Sequence, residues 1–89
     1  MLYPYMTIEN DLEMLHSHLI HEDGNDTVYV QFEKPIDEGF KTGRCKLPTY
    51  EWSNIENFTA NEIQELEEIV RHHAHLIYRY AECGGIQFA

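Results

Sequence analysis

The chain has 89 residues, of which 43% are hydrophobic and 12% aromatic, and a formal net charge of −10 at pH 7. This length suits one domain, residues 1–89, and the hydrophobic content lies outside the low-hydrophobicity, high-charge regime of disordered chains. The charge arises from sixteen acidic and six basic residues. Because phosphate groups would be repelled, the composition argues against direct binding of nucleic acids.

Neither a membrane span nor a secretory signal is expected from the sequence. No stretch approaches the roughly 20 apolar residues that a spanning helix needs. The first residues, MLYPYMTIEND, lack both a basic n-region and a continuous apolar h-region. We therefore expect a cytoplasmic protein. In that reducing compartment Cys45 and Cys83, which do not form a CxxC pair, are expected to be separate thiols.

The N-terminal half predicts an antiparallel meander of three or four strands. The clearest strand is the alternating sequence TVYVQFE, in which Val28, Val30 and Phe32 share one side. The residues before it, HEDGNDT, are dense in turn formers and favour a hairpin. The predicted strands lie at about residues 3–7, 13–21, 27–33 and 40–47, the last with a bulge expected at Gly43.

The periodicity of two other segments is less distinct. In residues 8–21 the leucines fit one side of a helix, but Leu15 and Leu19 also share one side of a strand; the hairpin favours the strand. The polar sequence SNIEN predicts a connecting segment rather than an element. Tyr50, Trp52 and Ile55 are expected to cover one end of the core.

The C-terminal half predicts a helix over about residues 60–83. Thr59 followed by Glu62 forms a capping-box pattern, and Gly84 with Gly85 offers a left-handed stop. Apolar residues recur at helical spacing along one stripe: Ile63, Leu66, Ile69, Val70, Leu76, Ile77 and Tyr80. Together these elements predict an α+β fold, in which one long C-terminal helix packs on one face of the meander.

Two histidine clusters, HSHLIH and RHHAH, raise the question of a metal site. His73 lies in the centre of the apolar stripe, so we interpret it as a core or core-edge histidine bonded to a strand, to Tyr50 or to Tyr80. The candidate metal ligands are two histidines on one face of a strand and three residues on an exposed helical ridge: His16, His18, Glu68, His72 and His75. Neither group has a convergent further ligand, so we expect structural histidines and no cofactor.

The cysteines and the known motifs give little indication of an enzyme. Cys45 and Cys83 are most simply interpreted as small buried hydrophobes, although a cysteine and histidine pair that meets only in the folded protein stays open. The sequence contains no GxSxG, P-loop, GxGxxG or DxDxDG pattern.

The acidic residues predict a binding surface. The first 33 residues contain no lysine or arginine, and the early turns of the helix are also acidic. A basic protein partner is the complementary choice, although such charge also serves solubility. The residues predicted to contact that partner are Glu22, Asp23, Asp26, Glu65, Glu67 and Glu68.

Three stretches, CKLPTYEW, FTANEIQELEEIV and AHLIYRYAECGGIQFA, resemble an uncharacterised group of short acidic proteins found in Firmicutes and their mobile elements. The resemblance covers most of the chain and implies an accessory protein of a mobile element or its host. It brings no activity, ligand or catalytic residue. Because of the acidic charge, our leading hypothesis is a non-enzymatic interaction module that binds a basic protein, as an inhibitor or nucleic-acid mimic of the antitoxin or anti-CRISPR kind. The alternative is a small metal-dependent or thiol enzyme that uses the histidine clusters.

Overall fold

A computed structural model describes residues 2–9 and 11–83 of the chain. In this part of the chain six antiparallel strands form a sheet, and one C-terminal helix packs against it, which confirms the predicted α+β class. The elements are β1 (Leu2–Ile8), β2 (Leu12–Ser17), β3 (Ile20–Glu22), β4 (Asn25–Ile36), β5 (Gly39–Leu47), β6 (Glu51–Glu56) and α1 (Ala60–Glu82). Within the same residues, no helix combines the length and apolar character that a membrane crossing requires.

The sheet has the order β1-β2-β4-β5-β6, and β3 pairs with the first residues of β4. The predicted single strand over residues 13–21 is therefore wrong, because β2 and β3 are separate strands. The break has a local cause: Ser17 Oγ accepts the backbone N–H of Tyr29 at 3.0 Å, and Leu19 N donates to Ala81 O of the helix at 3.2 Å. These bonds replace ladder pairing where the chain passes under the helix end.

Strand β6 was not predicted, and it forms one edge of the sheet. Trp52 pairs with Cys45 and Ser53 with Arg44, and Asn54 then adopts a left-handed φ of 52° where the register shifts. Every β6 residue except Trp52 is exposed, so the segment lacks the alternation that identifies a half-buried strand. Trp52 packs against the core as expected, but Ile55 does not, because its side chain is 44% exposed.

The core lies between α1 and the facing side of the sheet. Val28, Val30 and Phe32 are fully buried, which confirms the alternation read from the sequence. A Cβ atom at Gly43 would be in ordinary van der Waals contact with Trp52 at 3.4 Å and with Ile63 at 3.5 Å, and the register shift between β5 and β6 lies at this position, between Thr42 and Arg44. The buried hydrophobic residues are Met14, Val28, Val30, Phe32, Cys45, Leu47, Leu66, Val70, Ile77 and Ala81.

The helix begins as predicted. Thr59 Oγ1 accepts the backbone N–H of Glu62 at 3.2 Å, and Glu62 Oε1 accepts the backbone N–H of Thr59 at 2.9 Å, which confirms the capping box. At the other end Cys83 is the C-cap residue and has a right-handed φ of −90°. The stop expected at Gly84 and Gly85 lies outside the described residues.

Candidate functional site

The first of the predicted partner-binding acids, Glu22, is occupied within the protein. The Tyr29 hydroxyl donates to both of its carboxylate oxygens, at 3.0 and 3.2 Å, and Lys46 Nζ lies 3.5 Å from Oε2. The hydrogen bond to this carboxylate raises the pKa of Tyr29. Glu22 therefore helps to hold β3 against β4 and β5 on the sheet face that lies opposite the helix.

Of the two neighbouring aspartates, Asp26 has partners among the described residues and the side chain of Asp23 does not. The Asp26 carboxylate lies 2.6 Å from His21 Nδ1, and its backbone oxygen accepts the Tyr78 hydroxyl of the helix at 3.0 Å. Asp23 occupies the turn between β3 and β4 with a left-handed φ of 49° and is exposed. Its side chain has no bonding partner among the described residues, so it is available to an external group.

On the helix, Glu67 links α1 to the edge of the sheet. Its carboxylate accepts Trp52 Nε1–H at 3.0 Å and Arg71 Nη2–H at 3.1 Å, and the Arg71 guanidinium stacks 3.9 Å from the centre of the Tyr50 ring. This network holds β6 and the segment before it under the helix. The network gives Glu67 a structural role.

Glu65 and Glu68 lie on the solvent side of the helix. Both side chains are exposed, and neither has a bonding partner in residues 2–9 or 11–83. At a spacing of three residues their Cβ atoms are about 5–6 Å apart on the helix surface. The six predicted residues therefore divide into a structural set, Glu22, Asp26 and Glu67, and a solvent-facing set, Asp23, Glu65 and Glu68.

Few of the acidic side chains in the described residues form an ion pair with lysine or arginine. All sixteen acidic residues lie in the part of the chain that the structure describes. Within it, lysine and arginine form ion pairs with Glu62, Glu22 and Glu67 only. Of the remaining acidic residues all but Glu33 are exposed, so the surface of the described residues carries an excess of negative charge.

The histidines HSHLIH do not share one exposed face. His16 lies on the core side of β2 and is fully buried, whereas His18 is exposed in the break that follows. His16 Nδ1 donates to the Ser17 carbonyl at 2.7 Å. Its Nε2 is buried and has no hydrogen-bond partner among the described residues. The ring centres of Tyr3 and Tyr5 lie 5.7 and 6.2 Å from the centre of the His16 ring. The expected pairing of His16 with His18 is wrong because the strand ends between them.

His73 is a core-edge histidine bonded to a strand side chain, as expected, but its partner is Tyr5. The Tyr5 hydroxyl lies 2.8 Å from His73 Nδ1, and the Tyr80 ring lies 5.9 Å from the Tyr5 ring. Burial, followed by the nearby Tyr80, raises the pKa of Tyr5. Tyr5 reaches the helix from a bulge in β1, between the pairs made by Pro4 and Met6. A bulge has no clear sequence signature, so this contact was not predicted.

The candidate metal ligands do not converge. Glu68, His72 and His75 are all exposed on the helix surface, and His16 is buried in the core. Across residues 2–9 and 11–83, no group of three or more histidine, cysteine, aspartate or glutamate side chains is arranged to hold a metal ion.

The two thiols occupy different environments. Cys45 is fully buried, and burial, together with the nearby Glu67, raises its pKa to about 12. A thiol with such a pKa is a poor nucleophile at neutral pH. Cys83 is exposed at the C-terminal end of α1, so the expectation that both cysteines are buried is wrong for Cys83.

One exposed feature was missed in the sequence. The end of the β4–β5 hairpin places Phe40 (55% exposed) and Ile36 (36% exposed) at the surface. In the sequence PIDEGF, apolar residues flank the turn residues, and this pattern is the signal that could have indicated an exposed apolar hairpin end.

Comparison of the chain with protein-family models, with curated proteins and with solved structures finds no significant match in any of the three.

Proposed function

We propose that this protein is a small acidic cytoplasmic interaction module that binds a basic protein partner. Its mode of action would be inhibition or mimicry of a nucleic acid, as in antitoxins and anti-CRISPR proteins. Several carboxylates held at fixed positions on a sheet and a helix can occupy a channel whose lysine and arginine side chains otherwise bind phosphates.

The observation that carries this proposal is the imbalance between carboxylates and internal partners. The chain has sixteen acidic and six basic residues. In the described residues only Glu22, Glu62 and Glu67 form ion pairs with lysine or arginine. Exposed charges of one sign steer an oppositely charged partner and raise its association rate. They also repel one another within the protein, and a bound basic partner would relieve that repulsion.

The geometry favours three exposed carboxylates as contacts for a basic partner, because the backbone holds each of them at a fixed position. Glu65 and Glu68 lie on a helix that is anchored by its buried side, so their positions are fixed before binding. Asp23 lies in a tight turn between two paired strands. Binding through preplaced groups loses less conformational entropy than binding through flexible tails.

The test is capture of partners from a lysate of the source organism on the immobilised protein, at low and at high salt. We expect a captured protein with a basic surface, and association that slows as salt shortens the Debye length from about 10 Å at 0.1 M to about 3 Å at 1 M. An acidic or apolar partner, or binding that is insensitive to salt, would contradict the proposal.

A matched pair of variants makes the test specific. The first variant combines Asp23→Lys, Glu65→Lys and Glu68→Lys, and should lose most of the association rate. The control makes the same change of net charge at other exposed acids, with Glu9→Lys, Glu13→Lys and Glu82→Lys. Equal binding by wild type and both variants would mean that the charge serves solubility alone.

No specific observation favours the enzymatic alternative. In the described part of the chain the histidines do not converge, and the Cys45 thiol is buried. We therefore propose the interaction module alone.

A further inference from the structure

The end of the β4–β5 hairpin presents an apolar surface that the fold does not use. Phe40 is the most exposed of the large hydrophobic residues in the described ranges, at 55%, whereas Ile36, 36% exposed beside the same turn, belongs to the helix-facing side of the ladder. A single exposed apolar side chain is ordinary, but neighbouring exposed apolar side chains often mark an interaction site.

The sheet register brings Phe40 together with Pro35. The two residues are directly opposite in the ladder, which places their Cβ atoms about 4.5–5.5 Å apart on one side of the sheet. That side faces away from the helix. Lys41, the next residue along β5, points the other way and donates to Glu62 of α1 at 2.9 Å, and neighbouring strand residues alternate between faces. The aromatic ring of Phe40 therefore lies on the open face.

Carboxylates surround this apolar pair. Asp37 and Glu38 form the turn of the hairpin and are exposed. Glu33 precedes Pro35 by two residues on the same face, and Glu56 of the edge strand pairs with Thr42, which follows Phe40 by two residues. Side chains two residues apart along a strand are about 7 Å apart.

Basic residues on the open face stand further from the apolar pair. The nearest along β5 is Arg44, which already donates to Gln31 Oε1 at 2.7 Å and lies over the Tyr29 ring. Lys34 lies opposite Lys41 in the ladder, and both belong to the helix-facing side. The open face around Phe40 thus has an apolar centre and an acidic rim.

The backbone beneath this surface is held firmly. Asn57 Nδ2 donates to the Phe40 carbonyl at 2.9 Å, which ties the exposed edge of β5 to the end of β6. Ladder pairing of β4 with β5 continues to Ile36 and Gly39 at the turn itself. The surface is therefore preformed, and binding need not order a flexible loop.

From this arrangement we propose that Phe40 and Pro35, with Asp37, Glu38 and Glu56 around them, form the docking surface for a basic segment that carries one large apolar side chain. The inference rests on the proposed function and adds a second point of contact, on the sheet face opposite the helix that carries Glu65 and Glu68. The apolar side chain would cover the Phe40 ring, and flanking lysine or arginine side chains would pair with the carboxylates. Energetically important contacts at interfaces have this form, an apolar or aromatic centre within a polar rim. The net charge of −10 repels a second copy of this chain.

The experiment is a nuclear magnetic resonance titration of the whole ¹⁵N-labelled chain with three synthetic peptides. One alternates lysine and arginine around a central tryptophan, the second replaces the tryptophan by alanine, and the third keeps the tryptophan but replaces the basic residues by glutamate. We expect the first peptide to shift backbone resonances around Phe40, Asp37 and Glu56, and to bind about fivefold or more tightly than the alanine peptide.

Two variants localise the effect. Phe40→Ser should remove the preference for tryptophan over alanine while leaving the weaker, salt-sensitive binding of both basic peptides. Met6→Ser is the matched control, because Met6 is also a large exposed apolar residue, at 37%, and lies in β1 at the other edge of the sheet. This control should keep the preference.

The outcomes separate this inference from the proposed function. If the tryptophan peptide shifts resonances near Glu65 and Glu68 instead, and Phe40→Ser changes nothing, the docking surface is wrong and the acidic module stands. The absence of shifts with every peptide likewise overturns the docking surface, whereas the captured partner decides the proposed function. Equal binding of the glutamate peptide overturns both. A dimer in sedimentation that Phe40→Ser abolishes would make a second copy the occupant and overturn the proposal.

Discussion

The two sides of helix α1 differ in burial and in charge. The side that faces the sheet is buried, with Leu66, Val70, Ile77 and Ala81 in the core. The side that faces solvent carries exposed charged and titratable residues: Glu65, Glu68, His72, His75 and Arg79. The first side contributes to the core, and the second side is exposed to solvent.

Glu65 and Glu67 show that acidic residues close in sequence can fall on either side of the boundary between the sheet-facing and the solvent-facing surface of α1. They are two residues apart and chemically identical, yet Glu67 accepts hydrogen bonds from Trp52 and Arg71 whereas Glu65 faces solvent without a partner in the described residues. An acidic run therefore cannot be treated as one binding surface. The angular position of each residue on the helix decides whether its charge holds the fold together or remains available.

The largest expected effect is at the buried side. Leu66 and Ile77 are 4% and 0% exposed, so Leu66→Ala or Ile77→Ala removes buried apolar groups, and each should lower the free energy of unfolding by about 2–5 kcal/mol. Urea or guanidinium unfolding followed by circular dichroism measures this change. The exposed neighbour His75→Ala is a control on the same helix, and a cost for Leu66→Ala as small as that for His75→Ala would show that the stripe is not buried.

A smaller loss of stability is expected on replacing Glu67, which lies at the boundary between the two sides of α1. Glu67→Ala leaves the Trp52 indole N–H and the Arg71 guanidinium without their carboxylate, so the free energy of unfolding should fall by about 1–3 kcal/mol. Trp52 is the single tryptophan, and its fluorescence should report the loss directly. Glu65→Ala is the matched control and should change neither quantity. Unaltered emission of the Glu67→Ala variant would mean that the bond to the indole is not formed.

The N-terminal cap of α1 should contribute less to the free energy of unfolding than the core residues do. Thr59→Ala removes the acceptor for the backbone N–H of Glu62 and should cost about 0.5–2 kcal/mol of unfolding free energy. Thr59→Ser keeps a hydroxyl acceptor and should restore most of that stability. The idea of a working cap fails if alanine and serine at this position give the same unfolding midpoint.

Local chemistry explains which parts of the fold were predictable. The helix start at Thr59 and the strand containing Val28, Val30 and Phe32 depend on nearby residues in the sequence, and both were predicted correctly. Strand β6 was missed because it is an exposed edge strand whose pairing is made by β5. The break between β2 and β3 depends on contacts of Ser17 and Leu19 with β4 and the helix, which no local pattern reveals.

The site was predictable in charge but not in detail. Composition indicated an acidic surface, and Glu65 and Glu68 are indeed exposed. Glu22 pairs with Lys46, and Glu67 accepts from Trp52; these partners are distant in sequence and meet only in the folded protein. Arg71, the second partner of Glu67, is a local i, i+4 neighbour. Such pairs depend on register and on the packing of the helix, neither of which a single sequence determines.

The pH dependence of stability should separate the charge of Glu62 from its capping role. Hydrogen bonding to the Thr59 backbone N–H, followed by Lys41, lowers the pKa of Glu62. A lowered pKa in the folded state contributes stability above the unfolded pKa of about 4.3, and this contribution is lost as pH falls through the folded value.

Glu62→Gln keeps an oxygen that can accept the Thr59 N–H but carries no charge for Lys41. The difference in unfolding free energy between wild type and this variant should therefore be present at pH 7 and shrink below about pH 4.3. A difference that stays constant from pH 7 to pH 3 would show that the pKa of Glu62 is the same in the folded and unfolded states.

The smallest effect on stability is expected at the solvent-facing side of α1, which is part of the proposed binding surface. Glu65 and Glu68 have no partner in the described residues, so Glu65→Gln with Glu68→Gln should leave the free energy of unfolding within about 0.5 kcal/mol of wild type. Neighbouring carboxylates three residues apart repel each other, so the change can even be slightly stabilising. Binding should respond differently, because in the proposed function the same two charges contact the basic partner. We expect slower association and a weaker dependence on salt, measured at two salt concentrations by surface plasmon resonance with the captured partner. A double variant that keeps both its stability and its association rate would leave the solvent side of α1 without a role in binding.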